Sequence, residues 1–497
     1  MNHNVYISTP IYYVNDKPHI GHAYTTVLSD VIARYYQFTN FRVLFSSGTD
    51  EHGIKIEESA KSNNLTAQQL VDMNSRYFGE MIRYMGCHVT DFIRTTETRH
   101  KEKVIAVWNL LVKKGYIYKG YYQGWYSIRD ECFFKESELI DGKAPTGAEV
   151  SWVEEESYFF ALSKFQNKLI DLYEKDYVKI HPEFRKNEVL SFLKSGLEDL
   201  SISRTNFNWG INVPDDSQHV IYVWIDALVN YITVCDAYER NYWENSQIIH
   251  VLGKDILRFH AVYFPALLVA LEMKLPDSLI VHGWWIKKQE KISKSLKNAI
   301  DPHMLVEKYG VEIIRYYMIK EMKVGSDTNF SEEDIVKCNN TDLANNFGNL
   351  LQRTLMLLKK GASSTVPDVD ISNDDFYDDL YSNLIPTILD SMRNLDFFSV
   401  LSHLQNISNR ANQYIECNKP WELYKNDEHN FKIKIKVLLE CIKCIYVCLA
   451  CIMPTTSKRI MTMLGITSID VRLLLKTHSL ESGLVIHPLQ EPLFCRL

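Results

Sequence analysis

Apolar residues enter the chain as a short β-type run, VYIST over 5–9, and then change period. After a turn-forming stretch with Asn15, Asp16 and Pro18, the residues Tyr24, Val27, Leu28, Val31, Ile32 and Tyr35 recur at steps of three and four. That spacing predicts a helix opening near Gly21. A second strand is predicted at FRVLF, running into SSGTDEHG. Strand, helix, strand is a βαβ unit, whose ligands bind beyond the carboxyl ends of the strands. From about Tyr116 to Pro214 the chain is turn-rich with short aromatic strands, as expected of a small domain inserted into a sheet. Strand-like runs resume at VIYVWI (220–225), IIHVLG (248–253) and SLIVHG (278–283). From about Leu343 the pattern is almost entirely helical. The acidic stretch VPDVDISNDDFYDDL (366–380) reads as a solvated loop or face. No internal repeat or low-complexity tract is found.

At 497 residues, 46% hydrophobic and 24% charged, the composition is that of an ordinary globular protein with room for several domains. The net charge of −7 excludes a wholesale basic coat but leaves room for a local Lys/Arg stripe. Ten scattered cysteines point to reduced thiols in a cytosol-like compartment. The opening MNHNVYISTP has neither a basic n-region nor an apolar core, so no signal peptide is expected. The longest apolar run, AVYFPALLVAL, contains Pro265 and is too short for a membrane helix. A soluble, cytoplasmic protein with no membrane attachment is expected.

Two short stretches carry candidate chemistry. In KPHIGH, His19 and His22 flank Gly21 where a loop becomes a helix. Glycine permits close backbone approach, and first-turn N–H groups attract anions. The two imidazoles are compatible with phosphate, with a shared metal ion, or with no more than a surface turn. A metal needs further ligands, and the usual signature of two His at i and i+4 with a Glu is missing. In KKQEKISKSLKN (287–298), Lys291, Ser293, Lys294 and Ser295 crowd a loop after the last strand, and compact ammonium groups suit phosphate stabilisation. A lysine-rich loop is usually just solvated, but one on a sheet that also carries His-x-Gly-His has a reason to be there.

PHIGH and KISKS together resemble the two signatures of class I aminoacyl-tRNA synthetases. More specifically, TPIYYVNDKPHIGHAYTT, GTDEHG, YVWIDALVNY, GKDILRFHAVYFPA, DLANNFGNLLQR and KPW, in that order over nearly the whole chain, resemble the methionyl-tRNA synthetase family. The resemblance implies an α/β fold: a Rossmann-like parallel-sheet catalytic domain with an inserted connective domain, followed by an all-α helical-bundle anticodon-binding domain. The expected divisions are 1–115 and 215–285 for the catalytic halves, 116–214 for the insertion, 286–342 for the lysine loop and connecting segment, and 343–497 for the bundle. It implies ATP with Mg²⁺, L-methionine and tRNA(Met) as partners. His19, Gly21, His22, Asp255, Lys291, Ser293, Lys294 and Ser295 are then expected at ATP, with the two histidines and Lys291 and Lys294 acting on the phosphates. The reaction needs no protein nucleophile, because a carboxylate attacks the α-phosphate and pyrophosphate leaves.

By the same resemblance, the methionine pocket comprises Ile11, Tyr13, Trp224, Ala227, Leu228, Tyr231, Ile256 and His260, with Asp50 facing the substrate ammonium. An aromatic, weakly polar pocket suits an unbranched thioether. Arg204 matches a nearby family position. Phe264 stands where many relatives carry tryptophan, and Ile292 replaces the usual methionine of the lysine signature, which puts pocket shape and loop packing in question. Asn349 and Arg353, four apart on one helix face, and Trp421 are expected to read the anticodon. Many relatives carry zinc knuckles in the insertion, but this chain keeps only Cys132 there, with Ser127 where a ligand cysteine is expected. No zinc is therefore expected. In CIKCIYVCLACI, Cys441, Cys444, Cys448 and Cys451 line one face of a helix about 15 Å long and cannot converge on one ion. They read as a core stripe. No dimerising barrel is expected beyond the helical region, and a monomer is expected. The alternatives are a synthetase for another apolar amino acid, which usually carries a large editing insertion, or a catalytically silent tRNA-binding paralogue.

Overall fold

The structure, a computed structural model, describes residues 3–130, 132–134, 136–287, 290–292, 299–487 and 489–497. The chain folds as two compact units. One takes in Met1–Ser29, Val43–Arg83 and Cys87–His282, and the other Asp30–Arg42, Tyr84–Gly86 and Gly283–Leu497.

The first unit is built on a six-stranded sheet in the order Asp91–Arg94, Arg42–Asp50, Asn4–Tyr13, Ser246–Gly253, Ser278–His282, Lys179–His181. Asn4–Tyr13 runs parallel to Ser246–Gly253 with Tyr6 opposite Ile248, and Ser246–Gly253 runs parallel to Ser278–His282. Helices cover both faces of such a sheet, and Ser278–His282 is accordingly buried at every position. The chain winds one way from Asn4–Tyr13 and the other way from Ser246–Gly253. The crevice between them is the switch point at which ligands bind in open α/β sheets.

The segment 116–214 forms a four-stranded antiparallel sheet of Cys132–Phe134, Ile117–Ser127, Ser151–Phe160 and Leu200–Ser201. It also lends Lys179–His181 to the edge of the main sheet, parallel to Ser278–His282. One expected strand is not there. Of VIYVWI only Val220 and Ile221 belong to a strand, the end of Asp216–Ile221, and after extended Tyr222 the helix Val223–Tyr238 begins. That helix is buried on nearly every side, so the apolar run shows no helical period, and its β-branched residues imitate a strand.

The second unit is mainly helical. Asn349–Ala362, Phe397–Asn418 and Glu428–Leu449 pack against one another. The unit's separate pieces meet at buried Arg315, which donates to Asp30 Oδ2 at 2.7 Å, to Met85 O at 3.1 Å and to Ile452 O at 2.8 Å. Cys441, Cys444, Cys448 and Cys451 are all buried, and burial pushes the Cys444 thiol up to about 11. The acidic stretch 366–380 is not simply solvated. Val366, Ile371, Phe376 and Tyr377 are buried, and Asp374 accepts from Tyr414 Oη at 2.5 Å and Lys434 Nζ at 2.8 Å. Its acidic residues hid an apolar residue every few positions. Beyond Met463, among the described residues, only the short turn Val471–Leu474 is helical.

Candidate active site

The loop after the first strand places the histidine pair at the switch point. The rings of His19 and His22 stack with centroids 3.8 Å apart. His22 Nδ1 accepts from the backbone N–H of His19 at 3.1 Å, and His19 Nδ1 accepts from that of Gly21 at 3.0 Å. With both Nδ1 lone pairs engaged, each neutral ring carries its proton on Nε2 and is a donor there. This is the chemistry of an anion site. It is a poor start for a metal site, and among the described residues no cluster of three or more His, Cys, Asp or Glu has the arrangement to hold an ion. Gly21 is needed because a Cβ there would lie 2.9 Å from His19 Cε1. Asp255 folds back over Gly253, where a Cβ would meet its Oδ1 at 2.6 Å.

The helix Val223–Tyr238 and the wide-turned segment Phe259–Tyr263 bring the apolar candidates together. Tyr231 Oη lies 2.7 Å from His260 Nε2, and His260 Nδ1 lies 3.0 Å from the Ile256 carbonyl. The carbonyl can only accept, so Nδ1 holds the proton and the Tyr231 hydroxyl donates to Nε2. Burial keeps His260 neutral, pushing it down to about 4. Trp224 stacks on Phe259 at 3.5 Å, while Ala227 and Leu228 are buried on the same helix. The helix contacts the first strand, whose Ile11 and Tyr13 are partly buried against the core that holds Leu228 and Tyr231. Phe264 is fully buried at 5.4 Å from the Tyr231 ring and so supports the wall from behind. Asp50 is buried at the end of its strand. Arg204 is not at an open surface: it is buried, donates to Ser201 Oγ at 2.8 Å and lies over the Tyr222 ring at 4.2 Å.

Lys291 ends the short strand Glu290–Lys291, and Ile292 is buried with its N–H bonded to the Trp285 carbonyl at 2.9 Å. Ser293, Lys294 and Ser295 lie outside the described residues. In the helical unit, Asn349 and Arg353 line one open groove with Asn345, Asn346, Asn412 and Glu416. Arg353 donates to Glu416 at 2.6 Å. Trp421 is 38% exposed in the first turn of Pro420–Asn426, which follows Lys419 at a φ of 43°. It is not part of that groove's lining.

A family model described as tRNA synthetases class I (M) matches residues 5–149 and 135–355. The chain belongs to the class I tRNA synthetases. A second model, the anticodon-binding domain of tRNA ligase, matches residues 378–482. The methionine–tRNA ligase of Rickettsia bellii is 45% identical over 482 residues, covering 94% of each chain. That of Listeria monocytogenes is 41% identical over 93% of this chain and 73% of its own. Mycobacterium tuberculosis methionyl-tRNA synthetase, solved in complex with methionyl-adenylate, superimposes with a TM-score of 0.93 at 36% identity over 99% of this chain.

In this class I synthetase the structure adds residues that the sequence pattern did not single out. Tyr12 bonds Thr26 Oγ1 at 2.7 Å and meets the His22 ring edge-on at 5.0 Å, so it braces the histidine pair from the strand. Thr25 Oγ1 lies 2.8 Å from His282 Nε2, joining the helix start to the end of another strand. His250, below the wall, bonds Ser8 at 2.7 Å and lies 4.4 Å from the Tyr231 ring. His250 and His282 hold ordinary positions in the sequence, and only the packing of distant strands gives them a role. In the insertion, Asp130 takes hydrogen bonds from the hydroxyls of Ser127 and Thr146.

Proposed function

We propose that the chain is a methionine–tRNA ligase that activates L-methionine with MgATP and transfers it to the 3′-terminal ribose of tRNA(Met). One observation supports this reading above the others. The Nε2–H donors of His19 and His22 and the Tyr231–His260 pair both belong to elements at the carboxyl edge of one sheet. The first set suits a phosphate, the second a largely apolar side chain. The relatives are methionine–tRNA ligases, and a similar structure holds methionyl-adenylate, which unites those two parts in one molecule.

In this mechanism the methionine carboxylate attacks the α-phosphorus of ATP, an O–P bond forms, and the bond to pyrophosphate breaks. His19 and His22 donate to the oxygens on which charge builds, with Gly21 giving the backbone close access. Asp255, Lys291, Ser293, Lys294 and Ser295 attend the nucleotide and its leaving group. Asp50 pairs the ammonium, and Ile11, Tyr13, Trp224, Ala227, Leu228, Tyr231, Ile256 and His260 surround the thioether. ATP–pyrophosphate exchange tests the reading. Methionine should support it, with leucine and isoleucine almost inactive; a preference for leucine would transfer the assignment to another apolar amino acid, and no exchange at all would leave a silent paralogue.

Zinc does not fit the insertion. Where a thiolate knuckle would need four soft donors, the described residues offer the Ser127–Asp130–Thr146 hydroxyl–carboxylate cluster. Elemental analysis should find no stoichiometric zinc, and activity after chelation should return with Mg²⁺ alone; one tightly held zinc per chain would refute this.

The helical unit reads the anticodon in this proposal, Asn349 and Arg353 offering amide and guanidinium groups and Trp421 a stacking face. Trp421→Ala should weaken tRNA-dependent charging by ~1–3 kcal/mol, the usual value of one base stack. Pyrophosphate exchange, which needs no tRNA, should be nearly untouched. An equal fall in both would make Trp421 a packing residue. No described helix is long and apolar enough to cross a membrane. A cytoplasmic monomer completes the proposal.

A further inference from the structure

On the helix that carries Trp224, Ala227, Leu228 and Tyr231, Asp226 points the other way. At about 100° per residue those four positions share one face, and 226 lies opposite. Asp226 is fully buried, and each carboxylate oxygen is met by an imidazole: Oδ2 by His52 Nδ1 at 2.6 Å and Oδ1 by His100 Nε2 at 2.7 Å. Burial alone would raise this carboxyl, but electrostatic attraction to His52 and the hydrogen bonds of both rings outweigh it and hold Asp226 down at about 2. An ionised carboxylate out of water persists only where its partners are held in place.

The partners come from different elements. His100 is in the first turns of Thr98–Lys113, whereas His52 lies two residues beyond Asp50. The intervening Glu51 is anchored separately. Its carboxylate takes Thr49 Oγ1 and Arg94 Nε, each at 2.7 Å, and its carbonyl accepts from Trp209 Nε1 at 2.5 Å. The turn that follows Asp50 is therefore fastened to the strands through Glu51 and to the pocket helix through His52. No step of adenylate formation uses His52, His100 or Asp226.

We propose that His52 is a positioning residue for methionine: its bond to Asp226 fixes the pocket helix relative to Asp50, so that one substrate meets its ammonium partner and its side-chain wall together. This rests on the assignment of Asp50 and the pocket made above. The ammonium site and the wall stand on different elements, and a methionine molecule has one length, so a slip between them misplaces one end. His19 and His22 stand on a third element, whereas His52 bonds Asp226 and meets the Trp209 ring. Loss of the bond thus falls on methionine and spares ATP.

The test is exchange kinetics with methionine and ATP varied separately, on wild type, His52→Phe, His52→Asn and His52→Gln, with melting temperatures alongside. Phenylalanine keeps a planar ring without the donor; asparagine can place an amide N–H near the Nδ1 position; glutamine moves that donor out by one methylene. His52→Phe should raise the methionine KM ~10–100-fold with the ATP KM within about twofold, and His52→Asn should recover most of the loss. Both KM values rising together, melting alone changing, or asparagine doing no better than phenylalanine would overturn the proposal. Should His52→Phe not fold, His52→Gln must show a higher methionine KM than His52→Asn, and equality overturns it. Wild type without methionine-dependent exchange would instead sink the underlying assignment.

Discussion

His22→Ala is expected to slow adenylate formation by about 10²–10³-fold at saturating substrates, the usual loss for one preorganised donor to a developing charge. Methionine affinity should hardly move, because the imidazole is proposed to act on phosphate. The size follows from preorganisation. His22 Nδ1 is held by the His19 N–H, its ring lies against that of His19 at 3.8 Å, and Tyr12 and Phe78 meet it edge-on at 5.0 and 5.2 Å. The donor is thus in place before the reaction needs it, and water in the gap left by the imidazole lacks that fixed orientation. Single-turnover quench at saturating ATP and methionine is the measurement. A collapse of methionine binding with an intact saturated rate would place His22 in the amino-acid pocket. Gly21→Ala should show the same sign of effect, since its Cβ would push on the His19 ring.

Lys443→Met is expected to destabilise the helical unit by about 3–5 kcal/mol, the cost of breaking a buried ion pair from one side. Glu440 and Lys443 have fully buried side chains 2.6 Å apart. Glu440 also accepts from Tyr381 Oη at 2.8 Å and from the Leu480 N–H at 2.6 Å, and Lys443 donates to the His478 carbonyl at 2.6 Å. The pair therefore clips the irregular stretch 478–480 to the helix Glu428–Leu449. Denaturant titration should show the loss, and amide exchange should show 478–480 opening first. The double variant Glu440→Gln with Lys443→Met should recover much of the stability, because no uncompensated charge remains. If the double variant is no better than the single, packing and not charge is responsible.

How much of this was legible depended on whether a residue's role is local. The helix Ile20–Phe38 announced itself because one face is periodic and its partners follow in sequence. Helical geometry put Asn349 and Arg353, four apart, on one face, and the structure shows that face lining a groove. The strand expected at 220–225 failed because a helix buried all round has no amphipathic period to read. The acidic strap 366–380 failed because charge density masked its buried Phe376 and Tyr377. His250, His282 and Asp226 act only across long sequence separations. Thr25 and His282 are 257 positions apart, and His52 and Asp226 are 174 apart. Period and spacing carry no information at that range. What pointed to the chemistry was motif order, whereas what explains it is a set of partners assembled by the sheet.

The order of strands also sets a timetable for the newborn chain. The first strand sits between Arg42–Asp50, which is made soon after it, and Ser246–Gly253, which is not. Ser8 and its partner His250 are 242 positions apart. At roughly 5–20 residues per second, the ribosome needs on the order of 10–50 s to bridge that interval. For all of that time the early βαβ piece carries an open, apolar strand edge, the kind that recruits foreign strands. Synthesis rate and chaperone supply therefore bear on the yield of this enzyme through a single pairing, the one that also creates the crevice in which it works.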